Sequence, residues 1–268
     1  MLNPLRKFFR FSAPAPSPAI PPEERIYAIG DIHGRLDLFS ALARAIEQDD
    51  QQAGRARTTI ILLGDLIDRG PDSAGVIALA RQWRDRRRVR ILMGNHEEMF
   101  LDSFQKTATL RQFLRHGGEE TILSYGVDRD TYNQASLEEL QQMMFQAVPR
   151  EDLAFVGSFE DRIVAGDYMF VHAGILPEAP PEQQKRQDLR WIREPFLSFE
   201  GRHSHVIVHG HTICEEVTER PNRIGLDTGA YIHGRLTALV LEGTSRRFLT
   251  ANETDGRITV EGRRTELA

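Results

Sequence analysis

Three aliphatic runs, each closed by a glycine-bounded polar loop and then a helix-periodic stretch, constrain this chain more than any other feature. Ile26–Ile29 leads into Leu36–Ile46, Thr59–Leu63 into Ser73–Trp83, and Val89–Met93 into Glu97–Phe104. Each run is apolar along its whole length rather than alternating, as in strands buried on both faces. Three strand–loop–helix units in succession predict parallel strands with crossover helices. Residues 97–147 read as mostly helical, interrupted at Gly117-Gly118 and Gly126. After Pro149 the pattern turns to strands, at Arg162–Val164, Tyr168–Val171, His205–Val208, Glu215–Val217, Arg223–Leu226, Leu236–Leu241 and Arg247–Thr250. The second half therefore adds a mostly β layer, and no internal repeat is present.

With 268 residues the chain is long enough for a sizeable core without disulfides, and one domain is expected over 23–268. The first 22 residues stand apart. Arg6, Lys7 and Arg10 interleave with Phe8, Phe9 and Phe11, and Pro14, Pro16, Pro18, Pro21 and Pro22 follow. There is no apolar stretch of about 7–15 residues to make a secretory signal, and the prolines oppose helix and sheet. A disordered leader is expected over 1–22, with weak membrane-surface contact of its basic-aromatic start as the secondary reading. No apolar run approaches the ~18 residues of a membrane span. Lys+Arg 34 against Asp+Glu 39 gives a net charge of −5, which argues against a nucleic-acid partner. The single cysteine, Cys214, excludes an internal disulfide and a cysteine-built zinc site. A reducing compartment, the cytoplasm, is the simplest expectation.

The chemistry-bearing residues cluster directly after strands, where α/β sheets place their sites. The first three runs end in Gly30-Asp31-Ile32-His33-Gly34, Gly64-Asp65-Leu66-Ile67-Asp68-Arg69-Gly70 and Gly94-Asn95-His96-Glu97. Later strands deliver His172-Ala173-Gly174 and His209-Gly210-His211-Thr212. Any one of these alone would be a turn, a helix cap or a surface ion pair. Together they offer mixed Asp, His and Asn donors, which suit two divalent metals such as Mn²⁺, with Fe or Zn²⁺ as alternatives.

This arrangement resembles the metallophosphoesterases of the phosphoprotein (serine/threonine) phosphatase type, in their bacterial and bacteriophage branch. Asp31-Ile-His33-Gly, Gly-Asp65-x-x-Asp68-Arg69-Gly and Gly-Asn95-His96-Glu97 match the three signature blocks in order. The likeness continues through His172-Ala-Gly, Trp191-Ile-Arg193 and Gly-His211-Thr to Asp227-Thr-Gly-Ala, and covers about residues 25–241. It implies an α/β calcineurin-like fold, a four-layer αββα sandwich of two mixed β-sheets flanked by helices. It also implies that Asp31, His33 and bridging Asp65 bind a first metal, and that Asp65, Asn95, His172 and His211 bind a second. Ile213 stands where much of the wider superfamily carries another histidine ligand, leaving the first metal three protein ligands.

Two metals ~3.5–4 Å apart can acidify a water for in-line attack on a phosphate ester. Arg69 and Arg193 offer forked donors to phosphate oxygens, with Asn95 beside them in the substrate-binding set. If Asn95 is a ligand, adjacent His96 diverges from the metals and is placed to protonate the departing alkoxide. The resemblance implies that Asp68 holds His96 in its useful tautomer. The expected activity is metal-dependent phosphomonoester hydrolysis, with phosphorylated protein or a small phosphoester as substrate. A dinucleoside-polyphosphate hydrolase and a non-catalytic metal-binding module are the alternatives. Several other residues read as structural: His209 as a core histidine, Cys214 as a small buried hydrophobe, and Arg84–Arg88 as a solvated helix end. Trp191 is either site wall or core. His116 reads as a surface histidine in an insert that could cover the site.

Overall fold

The structure is a computed structural model and describes residues 17–264. Strands β1 (Glu24–Ile29), β2 (Arg57–Leu62) and β3 (Val89–Ile91) are parallel neighbours, joined by helices α1 (Leu36–Gln52) and α2 (Ser73–Arg86). The chain then runs through α3 (Asn95–Ser103), α4 (Thr107–Phe113), a kinked turn at Leu114–Gly118 and α5 (Glu119–Ser124). The insert closes with α6 (Arg129–Gln134), α7 (Leu137–Ala147) and α8 (Arg150–Val156). A second sheet follows, from β4 (Ile163–Ala165), β5 (Tyr168–Phe170), β6 (Val206–His209), β7 (Thr218–Arg220) and β8 (Arg223–Gly225). Helix α9 (Arg186–Trp191) lies between β5 and β6 in sequence, and α10 (Ala230–His233) precedes β9 (Arg235–Glu242). Strands β10 (Ser245–Thr254) and β11 (Arg257–Arg264) end the described chain.

The sheet orders are β11-β10-β9-β1-β2-β3 and β4-β5-β6-β8-β7, and both sheets mix parallel with antiparallel pairs. The period-two alternation of side chains divides the core into layers. Tyr27, Ile29, Ile60, Leu62, Ala238 and Val240 face the helices, packing against Leu38, Phe39, Leu42 and Ile46 of α1. Ile26, Ala28, Ile61, Leu63, Leu239 and Leu241 face the other way, onto Tyr168, Phe170, Val206, Val208 and Ile224 of the second sheet. Each fully buried aliphatic or aromatic side chain here contributes about 1.5–3 kcal/mol. The outer face of the second sheet has a thinner cover, in which Met169, Val171 and Ile207 pack against Leu189 and Phe196. The expected α/β architecture of two mixed sheets with helices is what the chain adopts.

Some boundaries differ from expectation. Packing begins before residue 23: Ile20 is buried, its N–H donates to Gly243 O at 3.1 Å, and Ala19 N–H donates to Asp167 Oδ2 at 2.9 Å. The rest of the expected leader, residues 1–16, lies outside the described residues, and with it the membrane-contact reading of Met1–Phe11. No strand forms at Glu215–Val217; that stretch continues the site loop, tied by Cys214 N–H to Asp227 O and by Arg235 to Glu215 O. The arginine-rich run is partly engaged. Arg84 lies over the Phe155 ring and bonds Ser158, and Arg87 pairs with Glu47 and Asp50. Among the described residues no helix is long and apolar enough to cross a membrane.

Candidate metal centre

Five loops leave the ends of β1, β2, β3, β5 and β6 and converge. The first carries Asp31 and His33, the second Asp65, Asp68 and Arg69, the third Asn95 and His96, and the last two His172 and His211. Five of the eight described non-glycine residues with left-handed backbones lie here: His33 (φ +47°), Asp65 (+49°), Asp68 (+71°), Arg69 (+70°) and His211 (+64°). Such conformations cost energy and persist only where surroundings enforce them. Backbone bonds do part of this, since Ile32 and His33 N–H both donate to Asp65 O, at 3.0 and 2.9 Å. Glu97 does more. Its buried carboxylate accepts from the N–H groups of Asp65 (2.9 Å), Leu66 (2.7 Å) and Gly94 (3.0 Å), strapping the second loop to the third.

The donors converge on Asp65. His33 Nε2 is 3.6 Å from Asp65 Oδ2, and His172 Nε2 is 3.4 Å from Asp65 Oδ1. Asn95 Oδ1 lies 3.0 Å from His172 Nε2 and 2.9 Å from His211 Nδ1. His33 Nδ1–H donates to Ile67 O (2.9 Å) and His172 Nδ1–H to Leu63 O (2.8 Å). In its neutral form each ring therefore turns its Nε2 lone pair inward, toward carboxylate and amide oxygens. Asp31 Oδ2 accepts from His211 N–H at 2.9 Å, while Asp31 Oδ1 and His211 Nε2 are buried without hydrogen-bond partners. Lone pairs facing lone pairs in a buried site call for a cation. The donor set is oxygen and imidazole with no thiolate, which fits divalent metals.

Among the described residues two three-residue groups have ligand atoms within 4.8 Å of one another: Asp65, His172 and His211, and His33, Asp65 and His96. The second holds His96 where Asp31 was expected. His96 is otherwise engaged, with Nδ1 2.6 Å from Asp68 Oδ2 and Nε2 3.0 Å from an Arg69 nitrogen.

Electrostatics follow burial. Burial holds His33 well below the usual histidine range, His96 at about 4 and His211 at about 3, so these rings are neutral at neutral pH. Burial pulls His172 down too, but the charge and hydrogen bonding of Asp65 outweigh it and raise it. Burial, with the nearby Asp227 and Asp65 charges, pushes Asp31 well above the carboxylate range. Burial also opposes ionisation of Asp65, yet the surrounding histidines hold it well below.

Of the ten residues expected at the site, nine form this cluster. Arg69 spans it, donating toward His33 Nε2 (3.1 Å) and Tyr231 Oη (3.1 Å) as well as His96. Arg193 is exposed at the rim after α9, near enough for its charge to depress His211. His209 is buried, edge-on to Phe196 at 5.0 Å. Trp191 donates Nε1–H to Glu98 at 2.6 Å and packs at the edge of the helical core. Cys214 is half-buried, not enclosed as expected. His116 is exposed, with its ring 6.3 Å from that of His96, so the insert does reach the site.

Sequence reasoning assigned no part to Glu97, Thr121 or Tyr231. Glu97 had a signal, three residues after the glycine that opens α3 in a capping-box pattern. Tyr231, whose ring lies 4.7 Å from the Arg69 guanidinium and 5.1 Å from His33, reaches across 162 residues and left no local trace.

Comparison with known proteins bears on this site. The family described as calcineurin-like phosphoesterase matches residues 24–227. Serine/threonine-protein phosphatase 1 of Salmonella typhimurium is 30% identical over 218 residues, covering 79% of this chain and 89% of that protein. The asymmetrical bis(5'-nucleosyl)-tetraphosphatase PrpE of Oceanobacillus iheyensis is 27% identical over 233 residues, covering 80% and 87%. A crystal structure of a candidate diadenosine tetraphosphatase shares the fold with a TM-score of 0.60 at 22% identity, over 92% of this chain and 98% of that one.

Proposed function

This chain belongs to the calcineurin-like phosphoesterases and is a hydrolase of phosphoesters, and on that premise we propose a two-metal phosphomonoesterase acting on phosphoserine or phosphothreonine in proteins. The observation that carries the proposal is the sharing of the Asp65 carboxylate between two histidine clusters, in one of which His96 is already paired with Asp68. Asp31, His33 and Asp65 would hold one ion, and Asp65, Asn95, His172 and His211 the other. Mn²⁺ is the proposed metal and the cytoplasm the proposed location.

When bound, the two ions supply charge against phosphate oxygens and acidify the attacking water. The protein does the rest. Arg69 and Arg193 grip the phosphoryl group, forked donors gaining strength as charge develops on its oxygens. His96 rests neutral, with Nδ1–H donated to Asp68, which holds the ring in plane. It would take up a proton at Nε2 from solvent and give it to the departing alkoxide, while the proton lost by the attacking water returns to solvent. Neither an acid nor a phosphate fork is needed merely to bind metal, which supports catalysis over a regulatory metal module.

The Oceanobacillus relative supports a second reading, cleavage of a dinucleoside tetraphosphate. A terminal monoester presents three free oxygens to the arginines, whereas a bridging phosphate presents fewer. Mn²⁺-loaded protein should therefore turn over a phosphopeptide well ahead of diadenosine tetraphosphate at equal concentration. A preference of about tenfold or more for the dinucleotide in kcat/KM would transfer the assignment to the second reading.

A further inference from the structure

Asp68 is fully buried, and its two carboxylate oxygens are held from different parts of the chain. His96 Nδ1 lies 2.6 Å from Oδ2, and the Thr121 hydroxyl donates to Oδ1 at 2.5 Å. Thr121 is itself fully buried, on α5 of the helical insert, 53 residues beyond Asp68. Its hydroxyl also accepts the Asp68 N–H at 3.0 Å and sits 2.9 Å from Ser73 Oγ, which accepts the same N–H. Just before α5, Gly117 O accepts the Arg69 N–H at 3.0 Å. Gly117 takes φ +98°, and a β-carbon there would lie 2.7 Å from Arg69 Cγ. The backbones of Asp68 and Arg69 are both left-handed, so this corner is held by its contacts rather than by local preference.

We propose that Thr121 is a positioning residue for the Asp68–His96 pair, so that the insert builds one wall of the catalytic corner as well as overhanging it. A carboxylate anchored through one oxygen can still swing about its Cβ–Cγ bond. Fixing Oδ1 sets the direction of Oδ2, and with it the tilt of the His96 ring toward the leaving group. This inference rests on His96 as the leaving-group acid, so the test carries a control for that reading.

The experiment compares wild type with Thr121→Val, Thr121→Ser and His96→Asn on an alkyl and an aryl phosphate, with bound metal measured in each. Valine keeps the volume and removes the hydroxyl; Thr121→Ala replaces it where the valine protein does not fold. Thr121→Val should bind metal as wild type does and lose about 10–100-fold in kcat on the alkyl ester, with KM little changed, as expected for loss of a group that orients a catalytic residue. The aryl ester, whose phenolate needs little protonation, should lose only about threefold or less, and Thr121→Ser should recover most of the alkyl activity. Equal losses on both esters, a change confined to KM, or a serine variant as impaired as valine would overturn the proposal. If His96→Asn itself fails to discriminate the esters, the acid assignment falls and the positioning role falls with it. If it discriminates and Thr121→Val does not, only the positioning role is lost.

Discussion

A β-carbon at Gly210 would lie 1.9 Å from Asp31 Oδ1, and one at Gly94 would lie 2.2 Å from Asp65 Oδ1. Ordinary contacts never close to that distance, and the atoms obliged to move are carboxylate oxygens proposed as metal donors. Gly210→Ala should therefore cost metal before it costs fold. Metal content after equilibrium dialysis should fall below that of wild type, and activity should fall by about a hundredfold, the scale of a 1 Å misplacement. Full metal content in a folded Gly210→Ala protein would detach Asp31 from the site. Asp65 carries a larger burden, since both clusters use it. Asp65→Asn should abolish activity that excess Mn²⁺ does not restore, whereas the wild-type enzyme stripped by a chelator should recover with Mn²⁺. Activity in a demonstrably metal-free wild type would refute the two-metal reading. At this scale the sequence was legible where chemistry stands next to glycine after an aliphatic run. Tyr231 and Thr121 were not, because each reaches its partner across a long stretch of intervening chain and neither sits in a motif.

The strained loops depend on an element that binds none of the proposed metals. Helix α3 begins at Asn95, so Glu97 falls in its first turn and turns its carboxylate back to three N–H groups of the second and third loops. Glu97→Gln keeps the shape but puts a donor where only acceptors serve. It should destabilise the protein by about 1–3 kcal/mol, the cost of leaving a buried polar group unsatisfied, read as a lower urea midpoint in metal-free protein. An unchanged midpoint would mean that the strap is not this carboxylate. Elements with a helix–strand alternation were readable, because burial on both faces leaves continuous aliphatic runs. Strand β11 was missed although its turn was visible. Asp255-Gly256, at φ +50° and +73°, makes the two-residue hairpin that joins it to β10. Ile258 and Val260 then alternate with polar residues along an edge strand, a weaker pattern than a buried run.

Across the whole molecule, the end of α1 is stitched to the first sheet by a network that the motifs do not touch. Arg25, fully buried, bonds Glu242 of β9 and Asp50 of α1, while Asp49 accepts from Tyr27 Oη at 2.5 Å and from Arg247 of β10 at 2.7 and 2.5 Å. These partners are up to 217 residues apart, so composition could indicate only that the charges existed. The network makes stability depend on pH in a definite direction. Burial works to raise the Asp49 pKa, but the hydrogen bonds from Arg247 and Tyr27 outweigh it and hold the group below its ordinary 3.8. The unfolded chain therefore takes up this proton at a higher pH than the folded one. Stability from Asp49 is present above the unfolded value and drains away as pH falls through the folded value. Asp49→Asn should cost about 1 kcal/mol near pH 7, a figure kept small because the group is partly exposed and screened. The gap between wild type and variant should narrow as pH falls below 3.8 and through the lower folded value, where the wild-type carboxylate also becomes neutral. Parallel urea titrations in excess chelator keep metal loss out of the comparison. A gap that persists undiminished in acid would assign the effect of Asp49 to shape rather than charge.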